Sequence, residues 1–474
     1  MKNFVRAAVL VTACYLGVFA AETVRAQQTE YPVDPAFSAA YAEVKDGRRL
    51  VLENNYEAAR VIVAPLAEAG NPVAQNLLGI ILEHGSGEGA SLLPALDSYA
   101  QAMAQGYGKA FANAAMIYQD GGVDVPIDLA LMMQTYRDGA DVGYGPAHEE
   151  WVWHLLWGDP SVQDHAAGFV QAQTGVARFP DSPRLRTMLA DAHYYGMGTP
   201  QDDTAALKHN IVAATLGDAY GQFSAGYQYF YGLGAELDNT TARVYFEQAA
   251  GQDYGWAYGY LANIYYSGYD VAPDYERAFS FARLGEGRDD GQAGYFVGEA
   301  YRTGQGIEQD FNAARAALIK AGADGYSDAL TSLADMAYFG EGEPEDLAKA
   351  FDLFDQTIAA NPDDEYGLYS LGYMLMRGEG VETDYGRAVE MIERAVALGH
   401  IDATFEAILL YGSADFTGAH SDPVRATAFC LFGGAEGYFT TDDPDQTVHD
   451  TCAHAAAQLT NGQRIEARTI ADAL

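Results

Sequence analysis

A glycine recurs every 36 residues through the middle of this chain, at Gly196, Gly232, Gly268, Gly304 and Gly340. The register continues less regularly to Gly158, Gly121 and Gly85 on one side and to Gly378 and Gly412 on the other. No other feature constrains the fold as much, because self-similarity at such a period marks stacked repeats rather than one globular core. Several units read Gly-x-Gly at the marker, as in Gly196-Met197-Gly198, Gly232-Leu233-Gly234, Gly304-Gln305-Gly306, Gly340-Glu341-Gly342 and Gly378-Glu379-Gly380. A glycine after an aromatic-rich apolar stretch reads as a helix stop in the left-handed conformation.

The residues around the marker supply the helices. Six residues after it stands Asp202, Asp238, Asp274, Asp310, Asp346 or Asp384, a residue type that accepts hydrogen bonds from the free N–H groups of a starting helix. After Asp384 the apolar positions Ala388, Val389, Ile392, Ala395, Val396 and Leu398 keep a 3–4 spacing until Gly399. Equivalent stops are Gly70, Gly106, Gly217, Gly325 and Gly437. Before the marker, a small residue six positions back (Gly226, Gly298, Gly372) precedes a large one three back (Tyr229, Tyr301, Leu375), which lets a second helix approach closely. Each unit is therefore a helix, a glycine turn and an antiparallel helix. One such hairpin cannot bury its own faces, so the units must stack.

The pattern, clearest as Leu371-Gly372 … Gly378-Glu379-Gly380-Val381 … Asp384-Tyr385-Gly386-Arg387-Ala388 … Gly399, resembles the Sel-one-like repeat of the tetratricopeptide superfamily. The resemblance runs over about residues 36–440 in some ten units, and the stretch from Asp422 to Ala473 looks like the closing cap of bacterial members. It implies an all-α, right-handed α/α superhelical solenoid over residues 27–440 with a helical cap at 441–474. The units at Gly85 and Gly121 lack the Asp at the helix start, and the Gly158 unit carries Trp151, Trp153 and Trp157 but no second glycine.

Residues 1–26 read as a secretory signal: Lys2 and Arg6 form the positive end, Ala7 to Ala20 the apolar core, and Val24-Arg25-Ala26 the cleavage site. The apolar run continues past Cys14 to Phe19, which favours cleavage after Ala26 over lipidation at Cys14. The expected location is periplasmic or secreted, with no stable membrane anchor once the signal is removed. Cys430 and Cys452 then remain, and an even count in an oxidising compartment predicts a disulfide between them.

A formal charge of −39, from 66 acidic against 27 basic residues, argues against nucleic acid and anionic membranes as partners. The acidity is compatible with habitat adaptation, with solubility and with steering of a cationic partner. No Gly-x-Ser-x-Gly or Ser-x-x-Lys motif occurs, although secreted members of the resembled family have been catalogued as β-lactamases. His148-Glu149 and His154 do not make a His-Glu-x-x-His zinc motif, and Asp442-Asp443-Pro444-Asp445 lacks the remainder of a calcium loop. Neither a cofactor nor a metal is expected. The reading that remains is a non-catalytic scaffold binding a protein, peptide or glycan, as exported relatives do in envelope signalling or exopolysaccharide production. The alternative is a carbohydrate-active or other hydrolase using groove carboxylates.

By the superfamily alignment, the first helix of each unit lines the inner surface, with positions one, two and five before the marker pointing inward. In the central units these are Asp191, Tyr194 and Tyr195; Tyr227, Phe230 and Tyr231; Asn263 and Tyr266; Glu299 and Arg302; and Asp335 and Tyr338. A ladder of aromatic rings and carboxylates suits sugar rings or a cationic peptide.

Overall fold

The computed structural model describes residues 35–85, 91–288, 290–412, 422–436 and 446–474, without the side chains of 446, 447 and 449. The signal-like segment 1–26, Gly437 and the Asp442–Asp445 loop lie outside these. Among the described residues there are 25 α-helices, one short 3-10 helix at Pro35–Phe37 and no strand. They form two compact units that divide between Tyr254 and Gly255.

The first unit contains α1 (Ser38–Glu43), α2 (Lys45–Leu52), α3 (Tyr56–Glu68), α4 (Pro72–His84), α5 (Leu93–Met103), α6 (Gly108–Asp120) and α7 (Leu129–Asp141). It continues with α8 (Gly145–Trp157), α9 (His165–Arg178), α10 (Pro183–Tyr195), α11 (Asp203–Thr215), α12 (Ala219–Tyr231) and α13 (Asn239–Gly251). The second unit contains α14 (Trp256–Ser267), α15 (Tyr275–Glu286), α16 (Gly291–Thr303), α17 (Phe311–Ala323), α18 (Ser327–Phe339) and α19 (Leu347–Ala360). It continues with α20 (Glu365–Arg377), α21 (Tyr385–Ala397), α22 (Ile401–Gly412) and α23 (Pro423–Ala435), then the cap helices α24 (Gln446–Ala457) and α25 (Asn461–Ala471).

From α4 onward the even-numbered helix of each pair precedes the marker glycine and the odd-numbered one follows it. Asp202, Asp238, Asp274, Asp310, Asp346 and Asp384 are all N-caps whose carboxylates accept from the backbone N–H three residues on. The Gly121 unit, expected to lack this residue, has it one place later. Asp128 caps α7, because the Gly121-Gly122 turn is one residue longer before the helix starts. Asp164 caps α9 in the same way, whereas α5 begins without a side-chain cap.

The marker glycines Gly196, Gly232, Gly268, Gly304, Gly340 and Gly378 stop their helices in the left-handed conformation. The second glycine does something different. At Gly198, Gly234, Gly306 and Gly380, a Cβ would lie 2.1–2.3 Å from the backbone of His165, Asp203, Tyr275 and Leu347. Those four begin the second helices α9, α11, α15 and α19 of the preceding units. The turn of one unit thus rests directly on the helix start of the unit before it.

Within each hairpin the small residue six before the marker receives a large side chain from the second helix. A Cβ at Gly226 would meet Phe246 at 2.9 Å, one at Gly298 would meet Leu318 at 2.5 Å, and one at Gly372 would meet Ile392 at 2.8 Å. Phe246, Leu318 and Ile392 are fully buried there, each contributing roughly 1.5–3 kcal/mol of apolar burial. First helices also touch the next first helix, as α8 does α10 and α14 does α16, while second helices make no comparable contact among the described residues. That asymmetry curves each stack with its first helices inside. At the end, α24 packs on α22 and α23, and a Cys430–Cys452 bond links α23 to α24.

Candidate functional site

On a helix, residues four apart share a face and adjacent residues are turned by about 100°. Positions one and five before the marker therefore belong to one inner stripe, and position two belongs to another face. In the first unit Asp191 and Tyr195 of α10 and Tyr231 of α12 are half-buried on that stripe. Tyr194 and Phe230, both at position two, are only 7% and 9% exposed. Phe230 packs on Phe246 with ring centroids 6.3 Å apart. Tyr227 lies on the stripe but is also buried, packed against Tyr231 with ring centroids 4.7 Å apart. Tyr194, Tyr227 and Phe230 are thus packing residues, contrary to the expectation that they face a ligand.

Asp191 is the chemical centre of this stretch. Its Oδ1 accepts a 2.9 Å hydrogen bond from the Tyr220 hydroxyl on α12. Burial pushes its carboxyl up to about 7, partly offset by that bond and reinforced by Asp218. The second unit repeats the device. Asp335 of α18 accepts a 3.0 Å bond from the Tyr366 hydroxyl of α20 and is pushed up to about 6, chiefly by burial. Tyr220 and Tyr366 were missed in the sequence. Both stand twelve residues before the marker and two after a capping aspartate, in Asp218-Ala219-Tyr220 and Asp364-Glu365-Tyr366. That Asp-x-Tyr spacing was the available signal.

Elsewhere in the second unit, the Asn263 side chain on α14 accepts from Ser267 at 3.0 Å. Tyr266 packs between Tyr275 and Phe296, each with ring centroids 5.4 Å away. Glu299, expected on the open face, is only 5% exposed, because Arg302 one turn on folds over it with bonds of 2.9 and 2.8 Å. Arg302 reaches onward to Glu341 at 3.4 Å. The Tyr338 hydroxyl donates to Glu379 at 2.6 Å. On α20 the Arg377 guanidinium lies 4.3 Å over the Tyr373 ring and 3.8 Å from Glu406 on α22, and Tyr369 stacks on His400 at 4.5 Å.

These stripes offer aromatic faces and hydrogen-bond acceptors. Among the described residues, no group of three or more His, Cys, Asp or Glu is placed to hold a metal ion. His148 binds the Gln171 carbonyl at 2.9 Å, and His154 is buried against Tyr136, its imidazole pushed down to about 4 by burial. No helix among the described residues is long and apolar enough to cross a membrane.

Comparison with solved structures places the fold. A protective antigen present in uropathogenic Escherichia coli strains, displaying an SLR fold, matches with a TM-score of 0.70 at 21% identity, over 93% of this chain and 94% of that one. A Sel1 repeat protein from Oxalobacter formigenes matches at 21% identity with a TM-score of 0.41, over 72% of this chain and 87% of that one. No curated protein matches the sequence. The Sel1 repeat family model matches residues 72–91, 186–218, 219–254, 257–285, 292–326, 327–361 and 366–400. From residue 186 onward the matched segments fall on helix pairs whose capping aspartates and marker glycines repeat in register, and the chain belongs to the Sel1 repeat family.

Proposed function

We propose that this chain is a non-catalytic scaffold that holds a protein, peptide or glycan against the inner stripes of its first helices. The observation that carries this reading is that half-buried Asp191, Tyr195 and Tyr231 share the inner stripe of the first unit, and half-buried Asp335 lies on the corresponding stripe of the second. The family fold, which is typical of protein-binding adaptors, supports it. Export through residues 1–26, and a role as adaptor in envelope signalling or exopolysaccharide production, belong to the same proposal. The hydrolase alternative would draw its general acid from a raised carboxyl such as Asp191 or Asp335. Each of these is already engaged by a tyrosine hydroxyl of the next unit, which favours a tethering role.

The test is to screen the purified full chain against periplasmic extract and a glycan array. Retention of an unmodified partner, lost on joint replacement of Tyr195 and Tyr231 by Ala in a chain that keeps its helical signal, supports the scaffold. Turnover of any bound glycan or peptide would replace it with the enzyme reading.

A further inference from the structure

We infer that the inner face of α16, α18, α20 and α22 takes an extended, arginine-rich segment of another protein. The inference rests on the scaffold reading and names its ligand.

The first argument is charge. Asp335, Glu341, Glu379 and Glu406 belong to one electrostatic network, whose cationic neighbours are Arg302 and Arg377, with Arg315 on the Glu341 carbonyl at 3.2 Å. Asp328 and Asp402 extend it toward the helix starts, through Tyr295 and Tyr369 respectively. Negative charge is in excess by count, and Asp335, raised chiefly by burial, feels both the attraction of Arg302 and the repulsion of Glu299 and Glu341. A cationic occupant relieves that repulsion.

The second argument is hydrogen-bond polarity. The Tyr338 and Tyr366 hydroxyls already donate their hydrogen bonds to Glu379 and Asp335. What the face still offers at these points is acceptors, so the occupant must bring donors. A guanidinium carries five donors and no acceptor, whereas sugar hydroxyls also need donors to satisfy their oxygens. The third argument is that the chain's own arginines show the fit. Arg302 is held bidentately by Glu299, and Arg377 lies over the Tyr373 ring beside Glu406. Arg425 repeats the arrangement over Tyr411 with Glu393. Planar stacking plus carboxylate pairing is the chemistry that distinguishes arginine from lysine. Phe339 and Tyr366, 64% and 38% exposed, add apolar surface for the methylene stems of such side chains.

Geometry sets the length. First helices of successive repeats lie no closer than the roughly 10 Å of a packed pair, so four of them span about 30 Å at the least. An extended chain rises ~3.3 Å per residue, so about nine residues cover the face.

The experiment is fluorescence anisotropy of a labelled nine-residue arginine peptide with the full chain, against nine-lysine and neutral Gly/Ser peptides of equal length. The joint variant Glu341→Gln/Glu379→Gln is compared with Asp352→Asn/Glu390→Gln, which removes the same charge from exposed positions on the second helices α19 and α21. The expected result is at least a tenfold loss of arginine-peptide affinity in the first variant, less than twofold in the second, and weaker binding of lysine than arginine. Phe339→Ala, at an exposed position, gives a second reading with an expected severalfold loss. Equal losses in the two charge variants, equal affinity for lysine and arginine, or no binding at low salt would overturn the inference. A partner captured from extract that nine-arginine fails to displace would also overturn it while leaving the scaffold reading intact.

Discussion

Replacing Gly234 by alanine separates two roles that look alike in the sequence. Gly217 and Gly234 have similar left-handed backbones, at φ +90° and +82°. A Cβ at Gly217 meets nothing within 4 Å, whereas one at Gly234 lies 2.3 Å from the Asp203 carbonyl oxygen and 2.5 Å from its carbon. Gly217→Ala therefore pays only the left-handed conformational penalty, about 1–2 kcal/mol. Gly234→Ala adds the shift of a whole turn away from the start of α11, for which overpacking costs of about 1–3 kcal/mol apply. The difference is thus ~1–3 kcal/mol, a factor of roughly 5–150 in local opening. A repeat stack does not unfold in one step, so a single melting temperature is the wrong readout. Hydrogen exchange resolved by peptide suits it, and the excess opening of Gly234→Ala should centre on α11, α12 and α13. Equal effects of the two substitutions, within about 0.5 kcal/mol, would refute the role assigned to the second glycine.

Asp384→Ala should cost about 0.5–2 kcal/mol by freeing the cap of α21, with exchange rising first in residues 385–388. The raised carboxyls should add stability on acidification from pH 8 to pH 5, against an opposing loss from His154 and His209, whose imidazoles burial pushes down to about 4. Asp191 at about 7, and Asp290 and Asp335 at about 6, bind protons in the folded state well above the ordinary carboxylate value near 4. The carboxyl contribution is full below that value and is lost as pH rises through 6 to 7, so denaturant titrations at the two pH values compare the chain with Asp191→Asn, which should gain less stability on acidification. Reducing the Cys430–Cys452 bond should loosen the cap by on the order of 3 kcal/mol. Mass spectrometry of exported protein under non-reducing conditions, finding two free thiols, would contradict that pairing.

The repeat phase was legible because its markers are backbone requirements. Capping aspartates and left-handed glycines stand at fixed offsets, and Asp202 to Asp384 sit where the spacing puts them. The inner face was read less well, for a rotational reason. An alignment fixes position along a helix, but one residue of error turns a side chain through about 100°, which is why Tyr194 and Phe230 are buried while Tyr195 and Tyr231 are not. Glu299 was misplaced by a different cause, the fold-back of Arg302, which no periodicity encodes. The second glycine was read as part of the helix stop, because its contact with the helix start of the preceding repeat joins segments about 30 residues apart and leaves no local spacing to read. The Asp191–Tyr220 and Asp335–Tyr366 tethers also cross between units, yet their Asp-x-Tyr signature was present to be read.

The claim that the first helices carry the binding face is tested most directly by hydrogen exchange of the full chain with and without its captured partner. Within either unit, protection should fall on first helices, α10 and α12 or α16, α18 and α20, at peptides containing the half-buried tyrosines and carboxylates. Protection confined to second helices such as α11, α17 or α19, or absent from the inner stripes, would contradict it.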